Sequence, residues 1–411
     1  MKKILIIGFV WPEPDTTAAG HRMVQLIEAF SDFDWSVTFA SSASQTEYSL
    51  NLEDLGIDTV SIQLNHSSFD EFVKQLNPNY VVFDRFIVEE QFGWRVAEHV
   101  PNAVRILNTE DLHSLRKTRE LLHKTGEDFS LERWRRQEIT KREVASIIRS
   151  DLSLLVSTFE MNLLKENVKI PEFLLMHLPF MMEEIKEENQ EDWPSFEKRT
   201  DFITYGNGKH APNLDGITFL KKSIWPRVRE KLPIANLRVY GAYLPQQINQ
   251  MHKPKEGFHI MGWVKNLDAE IQKARVVFAP LRFGAGIKGK ITDALKNGTP
   301  VITSKVGEEG MSLSLLPSQS IDTNLPETFV ESAIELYTNP EKWYHAQKLG
   351  IETINGQYSK TKFQKELQNT LENLEKNLLE HRSQNFMGSL LQHHTLAATK
   401  FMGKWIEEKN K

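Results

Sequence analysis

Residues 276–310 read VVFAPLRFGAGIKGKITDALKNGTPVITSKVGEEG, and this stretch decides the fold. A β-branched run ends at Pro280, and a loop follows with glycines at 284, 286 and 289. Ile287, Ile291, Ala294 and Leu295 then recur at the helical period and form the stripe such a helix buries. Gly298 ends the helix, and residues 299–303 read as the next buried strand. Strand, glycine loop, helix, strand is one unit of a doubly wound parallel sheet, with its loop at the carboxyl edge where such sheets bind ligands. Lys288 and Lys290 stand in the first turn, where unpaired N–H groups and the helix dipole already favour an anion. Asp293 follows Lys290 on the same face. The pattern predicts a diphosphate held by lysines and N–H groups, with Asp293 accepting hydroxyl hydrogens from a sugar. An ion pair between Lys290 and Asp293 is the competing reading.

Outward from this unit, strand-like and helix-like runs alternate along the chain. Residues 3–8 form a buried strand, and Thr16 to Gly20 leads into a helix with the stripe Met23, Leu26, Ile27 and Phe30. No G-x-G-x-x-G follows that strand, which argues against a nicotinamide or flavin site. Further strands are expected at 37–40, 59–62, 80–83, 104–107, 152–156 and 173–176, with helices at 69–76 and 91–99. The β-then-α rhythm implies a parallel sheet with right-handed crossovers. After the 104–107 strand, Glu110, Asp111, His113 and Arg116 crowd the carboxyl end where a cleft forms. A helix cap at Asp111 with a solvated His113 is the alternative there. Residues 130–149 read as one charged helix with a solvated face.

The acidic, aperiodic segment 182–199 reads as a linker. Strands follow at 202–205, 237–240 and 258–261. Gly206 to Asn213 forms a glycine-rich turn, with a helix expected from about Asn213. Gly208-Lys209 is not a Walker site, because Ile203 stands where the pattern needs glycine. The turn can still cradle a diphosphate with Lys209 as counter-charge, or Lys209 is an exposed turn lysine. Gly307-Glu308-Glu309-Gly310 forms another edge loop, from which Glu309 is expected to reach sugar hydroxyls. The boundaries that follow are 1–180, a linker at 181–199, 200–355, and closing helices at 356–411.

The totals bound the classes. A chain of 411 residues is long enough for two domains with sizeable cores. A net charge of −5 shows no basic face for nucleic acid. With no cysteine, disulfides, thiolate metal sites and cysteine nucleophiles are excluded. No apolar run reaches the ~20 residues a membrane span needs. The start, MKKILIIGFVWPEP, reads as a first core strand rather than a leader, and a cytoplasmic protein is expected. No convincing histidine–acid ligand set is present, so metal independence is expected.

The 276–310 stretch resembles the retaining glycosyltransferases of the GT-B fold, family 4, often called glycosyl transferases group 1. The resemblance rests on Pro280, Gly284-Ala285-Gly286, Asp293-Ala294 and Gly298-Thr299-Pro300-Val301. The wording PLRFGAGIKGK, and G-x-x-x-H-x-P-N-x-D at 206–215, are similar to a common bacterial branch. The resemblance implies an α/β protein of two Rossmann-like, doubly wound domains facing a central cleft. It implies a nucleoside diphosphate sugar as donor substrate, no separate cofactor, and a glycan or lipid-linked acceptor. Gly286, Lys288, Lys290 and Asp293 would hold the donor, with Gly208, Lys209 and Glu309 from neighbouring loops. Val264 and Lys265 would hold the base through backbone groups. Gly20 would approach the donor phosphate or the acceptor, with a glycine that simply eases entry into the helix as the alternative, and Asp111 and His113 would face the transferred sugar. Retention of configuration is implied by the resemblance alone. The family often carries two glutamates eight positions apart; here the first position is Ala285 and the second is shortened to Asp293. That departure keeps open a non-catalytic sugar-nucleotide or glycan binder, and a nucleotide-sugar 2-epimerase is a third reading. Hydrolysis by two carboxylates fits poorly with loops built to hold phosphate.

After the closing helix 358–378, the chain continues with an amphipathic stripe: Phe386, Met387, Leu390, Leu391, Ala397, Ala398, Phe401, Met402, Trp405 and Ile406. Such a stripe is expected to be buried, within the chain or in a subunit contact rather than in a membrane surface. Lys400, Lys404 and Lys409 are offset there by Glu407 and Glu408, whereas interfacial helices carry a strongly basic face.

Overall fold

The computed structural model describes residues 1–314 and 319–409. Two all-parallel sheets carry the chain. The first contains β1 (Lys3–Gly8), β2 (Ser36–Ser41), β3 (Asp58–Ser61), β4 (Tyr80–Asp84), β5 (Val104–Asn108), β6 (Leu152–Leu155) and β7 (Leu175–His177). Their order is β3-β2-β1-β4-β5-β6-β7. The second contains β8 (Thr200–Tyr205), β9 (Leu237–Tyr240), β10 (Phe258–Gly262), β11 (Ala274–Ala279), β12 (Val301–Ser304) and β13 (Ser320–Ile321), in the order β10-β9-β8-β11-β12-β13. Strand order reverses between β1 and β4 in the first sheet and between β8 and β11 in the second. Those switch points are where an open α/β sheet leaves a crevice outside its strand ends. The expected α/β architecture is observed.

Parallel strands are covered on both faces, so they read as continuous apolar runs. Ile4 to Ile7 in β1 are all fully buried. One face of the first sheet packs Ile4, Ile6, Val82 and Ile106 against Phe363, Leu367 and Leu371 of the helix Lys360–Lys376. The last part of the chain therefore returns to the first sheet. The other face packs Leu5, Ile7, Val81 and Phe83 against Val88 and Phe92. Between the sheets the chain crosses near Met182 and recrosses near Ser359, and the two crossings pair side by side. The N–H of Met182 donates to the Tyr358 carbonyl at 2.7 Å, and that of Lys360 to the Met182 carbonyl at 2.9 Å.

Several expected elements shift. The helix foreseen over 130–149 is two helices, Leu131–Arg136 and Glu138–Arg149, broken at an extended Gln137. The break lets Trp134 turn inward, fully buried, with its indole N–H on Ser114 Oγ at 2.9 Å. The last strand of the first sheet begins at Leu175 rather than 173, because Pro171 opens a 3-10 turn over Glu172–Leu174. The helix after Gly206 starts at Ala211 with Pro212 in its first turn, where a missing N–H costs nothing. Two-residue β13 carries no apolar run and was not foreseen.

The tail forms a helix, Phe386–Lys409, packed on the helices Phe86–His99 and Glu138–Arg149. Its inward contacts are made by glycines and polar groups. A Cβ on Gly388 would meet the Ile148 carbonyl at 2.5 Å, and Gly403 lies against Asn65 and Trp94. Lys400 pairs with Glu98 at 2.6 Å, and Glu407 accepts from the Ser67 N–H at 2.9 Å. Phe386, Met387, Leu390, Ala398, Phe401, Met402 and Trp405 stay exposed. The helix thus docks within the chain as expected, but the stripe expected to be buried points outward. Leu391 and Ile406 are half-buried, and Ala397 lies outside the described side chains. No helix among the described residues is long and apolar enough to cross a membrane.

The helix Leu378–Gln384 is pinned to the first sheet by Asp151, which is 2 % exposed. Its carboxylate accepts from the Arg105 N–H at 2.8 Å and from Arg382 at 2.7 and 2.8 Å. Burial opposes its ionisation, but Arg105 and Arg382 hold its pKa down to about 2. Asp151→Ala should cost about 3–5 kcal/mol in denaturant unfolding, because Arg105 is left buried without its partner. A depressed carboxylate stabilises above its ordinary value near ~4. The contribution should therefore fade as pH falls from about 4 through about 2, and the variant should lack that acid dependence.

Candidate active site

Both switch points open on one cleft of about 730 Å³ between the sheets. On the second sheet's side, β11 runs into the glycine loop and the helix Gly289–Lys296. Among the described residues, no side chain caps that helix N-terminus. Gly289 has no room for a side chain: a Cβ there would lie 2.7 Å from Cβ of Ala18, at the start of the helix Ala18–Asp32. Lys288, Lys290 and Asp293 all line the cleft. Burial lowers Lys290 to about 8, with no charged neighbour contributing. Burial pushes Asp293 up to about 7, where Lys296 opposes the shift and Asp268 adds to it. Lys290 and Asp293 therefore do not form the ion pair that was the competing reading. Lys288 is more committed: its ammonium donates to the Gly286 carbonyl at 2.7 Å, and burial lowers it despite Glu309.

The facing wall comes from the loop after β5. Asp111 accepts from Arg116 Nε at 2.5 Å and lies 3.2 Å from His113 Nε2. Burial alone would raise the Asp111 carboxyl, but Arg116 and His113 hold it well below the usual range. Burial lowers His113 to about 4 and His210, across the cleft, also to about 4. At neutral pH both imidazoles are uncharged beside an ionised Asp111. Asp111 caps no helix: the first N–H groups of the following helix, His113–Thr125, are taken by Glu143, at 2.8 Å from His113 and 3.0 Å from Ser114.

The two walls are stitched together. Gly286, at φ +64°, lies so close that a Cβ would be 2.9 Å from Cβ of Asp111. Its N–H donates to Glu160 Oε1 at 2.7 Å, and the Leu112 N–H donates to the same oxygen at 3.1 Å. Arg119 reaches from the first domain to Glu309 at 2.6 and 2.9 Å and to the Gly284 carbonyl at 2.9 Å. At the opposite rim, the Tyr243 hydroxyl lies 3.2 Å from Glu13, and Tyr48 packs against Tyr243 and Trp263.

Of the expected site residues, Gly20, Lys209, Val264, Lys288, Lys290, Asp293, Asp111 and His113 line the cleft. Gly20 is glycine there for packing, since a Cβ would lie 2.4 Å from the Glu13 carbonyl oxygen. Lys209 lays its ammonium 3.5 Å over the Tyr243 ring. Three other expected residues, Gly208, Gly286 and Glu309, are not among those lining the cleft. Gly208 is turned onto the Tyr243 carbonyl, where a Cβ would lie 2.2 Å away, and its N–H is taken by the Ala242 carbonyl. The Gly286 N–H is taken by Glu160, and the Glu309 carboxylate by Arg119. All three groups are engaged by protein partners in this structure. Sequence reading missed Glu160, Arg119, Asp84 and Arg85. Asp84 and Arg85 carried a readable signal, since they sit at the carboxyl end of the 80–83 run. Among the described residues, no three His, Cys, Asp or Glu side chains are placed to hold a metal ion.

This is the GT-B arrangement of two Rossmann-like sheets facing a cleft. Residues 199–339 match the family described as glycosyl transferases group 1. The whole chain is similar in fold to solved structures. One is sucrose-phosphate synthase from Thermosynechococcus elongatus, at 14 % identity and TM-score 0.68, with 91 % of this chain and 99 % of that one covered. Another is a variant of S. aureus TarM in complex with fondaparinux, α-GlcNAc-glycerol and UDP, at 9 % identity and TM-score 0.69, with 90 % and 100 % covered. A third is Anabaena HepE with UDP and glucose, at 12 % identity and TM-score 0.65, with 91 % and 100 % covered. The chain matches no curated protein sequence.

Arg119→Ala should remove the bidentate tie and leave Glu309 without its partner. Small-angle scattering should then report a larger radius of gyration than for the unmodified protein. An unchanged value would show that Glu160 and Gly286 alone keep the cleft closed.

Proposed function

We propose that the protein transfers a sugar from a nucleoside diphosphate sugar to a hydroxyl of a glycan or lipid-linked acceptor. The observation that carries this reading is the uncapped helix N-terminus at Gly289, opening into the cleft with Lys290 lacking a counter-charge. Such a site supplies N–H groups, a helix dipole and a mobile cation to a leaving diphosphate. The group 1 match over this half of the chain supports the same assignment. Lys290, with Lys288 behind it, binds the diphosphate, and Asp293 accepts hydroxyl hydrogens of the donor's ribose. Val264 and Lys265 border the base, and Asp111 and His113 face the transferred sugar. Charge on the departing diphosphate is met by lysine and backbone, so no metal is required, and configuration at the anomeric carbon is retained. A second reading, binding without turnover, is favoured by one observation: Ala285 lines the cleft where the resembling family often places an acid.

A panel of nucleotide sugars separates the two. Release of nucleoside diphosphate, undiminished by a chelator, supports transfer; tight binding with no release from any donor supports the binder. Proton NMR of the product's anomeric signal tests retention.

Lys290→Ala should weaken nucleoside diphosphate binding at least about tenfold in calorimetry, as loss of a charge-assisted contact of about 1.5–3 kcal/mol implies. In the unmodified protein, affinity should fall as pH rises through about 8, because Lys290 loses its proton there. The alanine variant should show a shallower slope, because Lys288, also lowered by burial to about 8, still loses its proton there.

Asp293→Asn should bind pyrophosphate normally and nucleoside diphosphate weakly. Equal losses for both would reassign Asp293 away from the ribose.

A further inference from the structure

The helix Phe386–Lys409 leaves a long apolar face uncovered. Phe386, Met387, Leu390, Phe401, Met402 and Trp405 are between 39 % and 71 % exposed. With about 150–250 Å² in a side chain of aromatic size, and less in Met or Leu, these six present about 600 Å². That is the upper end of what a monomer usually shows as one patch, and larger patches mark contacts. The face is fixed in its outward orientation. On the opposite side Lys400 pairs with Glu98, Glu407 accepts from the Ser67 N–H, and Gly388 sits where a Cβ would meet the Ile148 carbonyl. Turning the apolar side inward would break both ties and force larger side chains into that close approach.

The stripe reads the same from either end. Positions 386, 387, 390 and 391 are apolar, and reflection through position 396 carries them to 406, 405, 402 and 401. Those four are apolar as well. The six exposed residues form the outer face, with half-buried Leu391 and Ile406 at its margin. A helix whose apolar pattern survives reversal is complementary to itself when a second copy lies antiparallel. A twofold axis then sets Met387 of each chain opposite Trp405 of the other, and Leu390 opposite Met402. Contacts of this self-complementary kind are the commonest way identical chains associate.

Charge points the same way. The helix carries no Asp, Glu, Lys or Arg over 386–399, and its charged residues begin at Lys400. Antiparallel packing brings each charged half against the uncharged half of the other chain, and it opposes the two helix dipoles. Parallel packing would set Lys404 and Lys409 against their own copies. A membrane surface fits less well. Lys400 and Glu407 are engaged within the chain, and Lys404, Glu408 and Lys409 leave a single net positive charge. Helices that lie in an anionic surface carry a strongly basic face.

We propose that a second copy of this chain covers the face, with the two tail helices packed antiparallel about a twofold axis near position 396. Two such faces bury about 1,200 Å², the lower end for a specific contact. A reversible dimer of micromolar affinity is therefore expected.

The test is sedimentation velocity of the full chain across the micromolar range. Its mass should rise with concentration towards twice the 47.5 kDa of one chain. Trp405→Glu, at an exposed position, should keep the melting temperature and weaken association at least about tenfold. Adding Met387→Lys to that variant sets opposite charges across the pair, and part of the association should return. Orientation can be read by cross-linking, because the chain has no cysteine of its own. Oxidising a mixture of Met387→Cys and Trp405→Cys chains should give the mixed dimer. Either chain alone should stay unlinked, since equivalent positions lie about 27 Å apart along an antiparallel pair. A chain that stays monomeric throughout overturns the proposal, as does a dimer unaffected by Trp405→Glu. Ready self-linking of either cysteine variant overturns it too. Co-sedimentation of a monomeric full chain with phosphatidylglycerol vesicles would overturn it in favour of a lipid surface.

Discussion

One carboxylate oxygen, Glu160 Oε1, accepts from the Gly286 N–H of one domain and the Leu112 N–H of the other. The cleft depends on that shared acceptor. It draws the glycine loop against the loop after β5, and only a residue without Cβ fits where they touch. Lysines from one sheet and acids from the other then share a single enclosed space. Glu160 Oε2 is buried without a partner, and burial, with Asp111 nearby, pushes this carboxyl up. Closing the cleft thus concentrates groups whose charged forms are disfavoured, which is how buried sites obtain acids and bases active near neutral pH.

Much of this was legible in the chain. Continuous apolar runs at 4–7, 81–83 and 276–279 identify strands covered on both faces, and glycine-ended runs place the loops at one edge. Lys290 and Asp293 were legible because a glycine loop entering a helix fixes where the first turn points. What was not legible was the local accounting of hydrogen bonds. Gly208, Gly286 and Glu309 have the right residue types, but their partners Ala242, Glu160 and Arg119 lie 34, 126 and 190 positions away in sequence. No periodicity reports such distant pairs. The tail failed differently. Its helical pattern was correct, but a stripe shows which residues are apolar, not whether glycines on the other face allow closer approach.

The fold also separates two kinds of chemistry by sheet. The second sheet's switch point is cationic, with an open helix N-terminus and weakly countered lysines. The first sheet's is a balanced set of carboxyl and guanidinium groups. Fields of different character on facing walls orient a polar substrate before any contact is made.

The paired crossings at Met182 and Ser359 carry a mechanical consequence. Outbound and returning chains run hydrogen-bonded through the same narrow neck. Relative motion of the two sheets is thereby reduced to a swing about that neck, like a pair of tongs. Displacement at any point then grows with its distance from the pivot. A fraction of a degree absorbed by a few backbone torsions near residue 182 or 359 is amplified at the far rim. The two short peptide segments thus set the axis of the swing, while the cross-cleft contacts of Glu160 and Arg119 set how far the jaws part.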